Sequence, residues 1–279
     1  MKRIGLLYNP RSSRTRPLGE AISAWLAERG RSSWLVSTLD TPPDEATLRE
    51  TELVITLGGD GTILRAVAVV LPYGIPLLGL NLGRVGFLTE GTPDDWRDLL
   101  SAYLAGKGRL ERRATLGVRT FTARRFGEPK EAVALNEAVV SRGPLARTIR
   151  LAVQVDGVPL TEYVADGLIL ATATGSTAYA YAVGGPILPP WMQEMILVPV
   201  APHLCLDRPL VLDEEAVVEI TVHNRRGGML TVDGRLTAEL RDGDRVQLFR
   251  HHQQALFWRM RRRDDFYRTL VERLIPRQG

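Results

Sequence analysis

The chain has 279 residues, 44% of them hydrophobic, enough for one large domain or two modest ones with cores that need no staples. Its single cysteine, Cys205, excludes an internal disulfide framework and a cysteine-built zinc site, and suits a reducing compartment. The net charge of +4 is carried mostly by arginine, with lysine only at Lys2, Lys107 and Lys130. It is spread along the chain apart from a short cluster at Arg259 and Arg261–Arg263, and a mild positive excess of this kind suits nucleic acid or a polyanionic small molecule such as a nucleotide.

In chain order, Arg3–Tyr8 reads as a strand ending at Asn9-Pro10, and Pro17–Arg29 as a helix with Leu18, Ile22, Trp25 and Leu26 on one stripe before Gly30. Trp34–Leu39 and Leu53–Leu57 read as strands and Thr62–Val70 as a helix. Pro76–Leu80 reads as a buried strand, and Pro93–Ala105 as a helix with Trp96, Leu99, Leu100 and Leu104 aligned. Strands alternating with helices predict a doubly wound parallel sheet, which takes ligands at the carboxyl ends of its strands. After Gly106 the pattern turns to short runs at close intervals: Thr115–Thr122, Ala132–Ser141, Thr148–Val155, Leu168–Ala173, Val217–His223, Met229–Val232 and Arg245–Arg250. Asp264–Leu274 closes the chain as a helix. The expected division is therefore an α/β domain over 1–106, a β-rich domain over 107–260, and a C-terminal helix over 261–279 packing back on the first domain.

Neither an apolar core of signal-peptide length nor a membrane span is present: the longest apolar stretch, Ala66–Leu80, is interrupted by Pro72, Gly74 and Pro76. No segment interleaves aromatic and basic residues. The expectation is a cytoplasmic protein with neither membrane nor nucleic-acid partners. Common catalytic signatures are missing too. The only Gly-Lys pair, Gly106-Lys107, is followed by Gly108 and so makes no Walker loop, and there is no Gly-x-Gly-x-x-Gly, Gly-x-Ser-x-Gly or His-Glu-x-x-His.

Three features remain. Gly58-Gly59-Asp60-Gly61-Thr62 follows an apolar strand and opens a helix. Its glycines let backbone N–H groups approach an anion, and the helix adds its positive end, so Gly58, Gly59, Gly61 and Thr62 can hold a polyphosphate without a lysine. Asp60 is then either a turn aspartate or a carboxylate set among phosphate oxygens. Asp166-Gly167 leads through a strand into Thr174-Gly175-Ser176-Thr177-Ala178-Tyr179, where Ser176 or Thr177 would cap a helix running to Ala182, a second anion- or amide-binding start. Asn136-Glu137 interrupts an apolar run, a cost that demands partners or a function. In a regular strand the two would face opposite sides, so both reach one ligand only if the strand bends.

Together these segments resemble the NAD kinase family. So do Asn81–Glu90, Gly184-Gly185-Pro186, Pro202-His203, Arg208-Pro209-Leu210 and Asp233-Gly234, all in family order. The resemblance implies ATP-dependent phosphorylation of the adenosine ribose 2′-hydroxyl of NAD, giving NADP, with the site between an α/β and a β-rich domain and a homodimer or homotetramer as the assembly. Other nucleoside triphosphates or polyphosphate are conceivable donors for a backbone cradle. By the same matching, Asp60 is the catalytic base, and Asp60, Gly61, Asn136, Glu137, Asp166, Thr177, Ala178, Tyr179, Ala180, Tyr181 and Ala182 line the NAD pocket, with Arg65 and Arg147 near the substrate. Mg²⁺ or another divalent cation is expected through the donor phosphates rather than on ligands of the chain. The chain departs from the family pattern at Ala173, where proline is usual, at Ala180–Val183, where serines are usual, and at Arg235, where glutamine is common. The alternative is a lipid or other small-molecule kinase sharing the glycine-aspartate loop.

Overall fold

A computed structural model describes residues 2–83, 86–123, 128–143, 147–203, 206–224 and 227–274. Arg84 and Val85 of the Asn81–Glu90 segment, and Cys205, lie outside the described residues. The chain divides into two units, Met1–Arg112 with Ala255–Gly279, and Arg113–Gln254.

The first unit begins with β1 (Arg3–Tyr8), α1 (Thr15–Ala27), β2 (Ser33–Ser37), α2 (Glu45–Arg49) and β3 (Thr51–Leu57). It continues with α3 (Asp60–Val70), β4 (Leu77–Leu80), α4 (Trp96–Leu104) and β5 (Arg109–Arg113). The second unit opens with β6 (Leu116–Phe121), β7 (Lys130–Ala134), β8 (Glu137–Arg142), β9 (Ile149–Val155), β10 (Val158–Ala165) and β11 (Gly167–Thr172). After α5 (Tyr179–Ala182) come β12 (Met195–Val200), β13 (Leu210–Leu212), β14 (Val218–His223), β15 (Gly228–Val232), β16 (Arg235–Leu240) and β17 (Arg245–Arg250). The chain then returns to the first unit with β18 (Ala255–Arg259) and α6 (Asp265–Leu274).

The first unit's sheet runs β2-β1-β3-β4-β18-β5, and β1–β2, β1–β3, β3–β4 and β4–β18 pair in parallel. Its strands are apolar on both faces because helices cover both. Ile4, Leu6, Leu53, Ile55, Leu57, Leu78 and Leu80 form one buried cluster with Ile22 and Leu26 of α1 and Trp96 and Leu100 of α4. Chain order reverses between β1 and β3, so the crevice that such sheets offer to ligands opens beyond the carboxyl ends of those two strands.

The fold is the α/β domain and β-rich domain expected, with boundaries displaced. β5 and β18 extend the first unit's sheet, where Phe257 pairs with Leu77 and is fully buried, so the divisions fall at 112/113 and 254/255 instead of 106 and 260. Along α6 no residue is buried, and the Phe266 ring stands 6.5 Å from that of Phe87.

The second unit stacks two antiparallel sheets, β10-β9-β14-β17-β6-β7 and β13-β12-β11-β8-β15-β16. Leu116, Val118, Leu151, Val153, Ile220 and Leu248 of the first meet Ala138, Val140, Leu168, Leu170, Leu197 and Leu230 of the second. Alternate residues of the second sheet, Val139, Ile169, Ala171 and Ile196, face the other way against Ala180 and Leu188. This is why β11 is buried along its whole length. β10 is a strand that hydropathy did not predict: Val158, Pro159 and Leu160 are exposed, and pairing to β9 across Asp156-Gly157, both at positive φ, holds it in place.

Candidate active site

In the first unit the site grows from β3. Gly58, at its end, has φ +155°, and a Cβ there would overlap Thr62 Oγ1, so only glycine fits. The same Cβ would stand 3.2 Å from that of Asn9, which places the end of β1 alongside at the crevice. Helix α3 opens at Asp60, two residues before the expected start at Thr62. Gly59 caps it through its backbone, its carbonyl accepting from Thr62 N–H at 2.9 Å, with no capping side chain to announce the start. Asp60 and Gly61 thus lie in the first turn, where their N–H groups have no partner within the helix. A Cβ on Gly59 or Gly61 would meet nothing within 4 Å, so open space stands over both. Arg65, half-buried, follows one turn along the same helix.

The Asp60 carboxylate turns toward the segment after β4. Oδ2 accepts from Phe87 N–H at 3.2 Å and Oδ1 from Leu88 N–H at 3.3 Å. Gly86 lies against it, so closely that a Cβ would overlap Oδ1, and its N–H donates to Thr89 Oγ1 at 2.6 Å. A Gly-Phe-Leu run carries no local sign of what its amides hold.

In the second unit Asn136 and Glu137 stand where one expected strand is in fact two. β7 belongs to one sheet and β8 to the other, and Leu135 and Asn136 form the bend between them. The polar pair interrupts the apolar run because the chain changes sheets there. Asp233 holds the bend: its carboxylate accepts from Leu135 N–H (2.8 Å), Asn136 N–H (2.8 Å) and Glu137 N–H (3.3 Å). Asp233 and Gly234, at φ +47° and +71°, turn β15 into β16. The Asp-Gly pair announced that turn, but nothing local showed its side chain reaching back to residue 135.

The segment after β11 closes over the same bend. Thr172 Oγ1 donates to the Leu135 carbonyl at 2.6 Å, and a Cβ on Gly175 would overlap the Asn136 carbonyl oxygen. The expected capped helix from Ser176 or Thr177 to Ala182 does not form. Gly175–Thr177 is a 3₁₀ turn and α5 spans only four residues, without a capping side chain. Ser176 is consumed as a fastener: fully buried, its Oγ donates to the Ala173 carbonyl at 2.7 Å and accepts from Leu188 N–H at 3.0 Å. Thr177 Oγ1 donates to the Thr174 carbonyl at 3.3 Å. Thr177 and Ala178 are half-buried, Ala180 is buried in the apolar cluster, and Tyr179, Tyr181 and Ala182 are exposed.

Asp166 lies just before β11, at the end opposite Thr172, with Arg142 Nε 2.8 Å from its carboxylate. A cavity of about 200 Å³ brings Asp166, Arg142 and Tyr179 together. Arg147 is exposed on the connection from β8 to β9.

The electrostatics single out Glu137. It is buried, with Oε2 lacking a hydrogen-bond partner. Burial, then the nearby Asp233 charge, push its carboxyl up to about 7 from an ordinary 4.5, against the Tyr179 N–H that holds it down. Burial also raises Asp233, opposed by its three backbone N–H partners and by Arg235. An unpartnered buried carboxyl oxygen is suited to a hydroxyl donor.

The family model of the ATP-NAD kinase N-terminal domain matches residues 45–108, and that of the C-terminal domain residues 135–260. The chain belongs to the ATP-NAD kinase family. An NAD kinase of Chloroflexus aurantiacus is 39% identical over 98% of this chain and 99% of its own length. One from Dehalococcoides mccartyi is 37% identical over 98% of this chain and 96% of its own. Among solved structures, a yeast NADH kinase in complex with NADH shares the fold, with a TM-score of 0.88, 24% identity, and coverage of 100% of this chain and 89% of that one. An NAD kinase from Archaeoglobus fulgidus in complex with ATP has a TM-score of 0.73 at 27% identity, covering 97% of each chain. A family match extending over 135–260 leaves the lipid-kinase alternative, which accounts for the glycine loop alone, without support.

Proposed function

We propose that the protein phosphorylates the adenosine ribose 2′-hydroxyl of NAD to give NADP, with ATP as donor. The observation that carries the mechanism is the setting of Asp60: a carboxylate held by two amides, in the first turn of a helix whose flanking glycines leave open space, at the crevice of the sheet. Gly58, Gly59, Gly61 and Thr62 cradle the donor phosphates through backbone N–H groups and the helix dipole. Asp60 orients the 2′-hydroxyl and accepts its proton as the new oxygen–phosphorus bond forms and the bond to ADP breaks. Asn136, Glu137, Asp166, Thr177, Ala178, Tyr179, Ala180, Tyr181 and Ala182 line the NAD pocket, Ala180 through its backbone only, and Arg65 and Arg147 add positive charge toward the substrate.

Among the described residues no group of three or more His, Cys, Asp or Glu could hold a metal ion. A divalent cation such as Mg²⁺ would arrive on the donor phosphates, with Asp60 the carboxylate at hand. When bound, such an ion neutralises phosphate charge. No helix among the described residues is long and apolar enough to cross a membrane. A cytoplasmic location and a homodimer or homotetramer complete the proposal.

The test is a coupled assay of the purified chain with NAD, ATP and Mg²⁺, reading NADP through an NADP-specific dehydrogenase, with Asp60→Asn alongside and polyphosphate replacing ATP in parallel. NADP from the wild type and none from the variant is the expected result. Tight NAD binding without NADP from either donor would make the protein a nucleotide sensor instead.

A further inference from the structure

Arg259, the last residue of β18, carries a buried guanidinium that the mechanism above does not use. Its side chain is 5% exposed, beside Glu90 at 0% and Glu111 at 8%. Nη1 donates to Glu90 Oε2 at 3.1 Å and to the Leu88 carbonyl at 2.9 Å, and Nε donates to Glu111 Oε1 at 3.3 Å. The other oxygen of Glu90 accepts from Met260 N–H at 2.8 Å and Arg261 N–H at 2.7 Å, tying the segment after β4 to the end of β18.

Desolvating three charges is costly, and apolar residues of equal volume would hold these elements together at least as well. What the charged arrangement adds is a defined position, and the position it defines is that of Leu88. The Leu88 carbonyl is gripped by Arg259 while its N–H donates to Asp60 Oδ1, and the adjacent Phe87 N–H donates to Oδ2. A single residue separates the guanidinium from the carboxylate. The grip on Asp60 is itself long, at 3.2 and 3.3 Å, so its direction depends on how firmly residues 86–90 are fixed from behind.

We propose that Arg259 is a positioning residue for phosphoryl transfer: by clamping Leu88 and Glu90 it fixes the amides that orient Asp60. The proposal rests on Asp60 as the base. It explains why a strand some two hundred residues downstream of the glycine loop returns to lie beside β4, and why its last residue is an arginine. A lysine has one compact ammonium where Arg259 spreads two nitrogens over three acceptors, so it cannot reproduce the clamp.

The experiment uses the full chain carrying Arg259→Lys, with Arg109→Met as the control. Arg109 pairs with Glu111 at 3.0 Å without touching Leu88. Displacement of a reacting group by about 1 Å can cost roughly 10²-fold. Arg259→Lys is accordingly expected to lower kcat by about tenfold or more, to leave the KM for NAD within about twofold, and to speed amide exchange at Phe87 and Leu88. Arg109→Met should lower Tm while kcat stays within about twofold. A folded Arg259→Lys enzyme with wild-type kcat, or a kcat that falls with Tm equally in both variants, overturns the proposal. Should Arg259→Lys fail to fold, Glu111→Gln, which weakens only the Nε side of the clamp, is expected to lower kcat by about two- to fivefold, and an unchanged kcat there overturns it as well. A wild type that makes no NADP removes Asp60 as the base and the clamp with it, whereas an active wild type with an indifferent Arg259 removes the clamp alone.

Discussion

The two units shape their candidate site residues in opposite ways. In the first, the groups that would meet phosphate and the carboxylate among them lie in five consecutive residues, Gly58–Thr62, and a strand end followed by a helix start gives them their shape. In the second, the bend at Leu135–Glu137 is shaped from a distance: Asp233 holds its amides, Thr172 its carbonyl, and Gly175 packs against Asn136. A phosphate cradle can be local because backbone N–H groups and a helix dipole come with the secondary structure. A site for hydroxyls and a base needs side chains at set angles, and those require long-range partners.

That contrast can be broken from either side. The largest effect is expected from Asp60→Asn, which should lower kcat by roughly 10²–10⁴ while NAD affinity, measured by calorimetry, stays near that of the wild type. Next is Asp233→Ala. Three amides lose their common acceptor, at roughly 1–3 kcal/mol for each left unsatisfied, so denaturant unfolding should show a loss of at least about 3 kcal/mol and NAD binding should weaken with it.

Glu137→Gln should act with a pH signature. The folded-state carboxyl titrates near 7, above its ordinary 4.5, so the folded protein holds this proton more tightly. Stability from Glu137 is then full below pH 4.5 and lost as pH rises through 7, by up to about 3 kcal/mol. Thermal melts of the variant should match the wild type at pH 4.5 and lie above it at pH 8; equal melts at both would sink the assignment. The smallest change in stability, about 1 kcal/mol or less, is expected from Gly59→Ala, whose Cβ enters open space. If that space receives phosphate, the KM for ATP should nonetheless rise, which steady-state kinetics will read.

Much of this is legible in the sequence. The alternation of β1, α1, β3, α3 and β4 follows from apolar runs and helical stripes, and the strand-to-helix turn at Gly58–Thr62 from residue type and its place after a buried strand. The family resemblance rested on short segments in order, and their order does not depend on the fold. Other features were read only in part. The Asn136-Glu137 pair was visible as an anomaly, and the bend it required is present. The cap assigned to Ser176 or Thr177 was a local rule overridden by burial, since a hydroxyl that can satisfy the Leu188 N–H in the core is worth more there than at the end of a four-residue helix.

What the sequence by itself determined, then, is the composition of each element and which groups are candidates for the chemistry, because propensity, hydrophobic period and glycine conformation are properties of neighbouring residues. Tertiary structure alone decided what holds those groups. The Asp233 carboxylate on the amides of residues 135–137 joins parts of the chain about a hundred positions apart, and Arg259 behind Leu88 joins parts still more distant. No periodicity records such pairings, because each is made by the closing of a sheet rather than by any stretch of sequence.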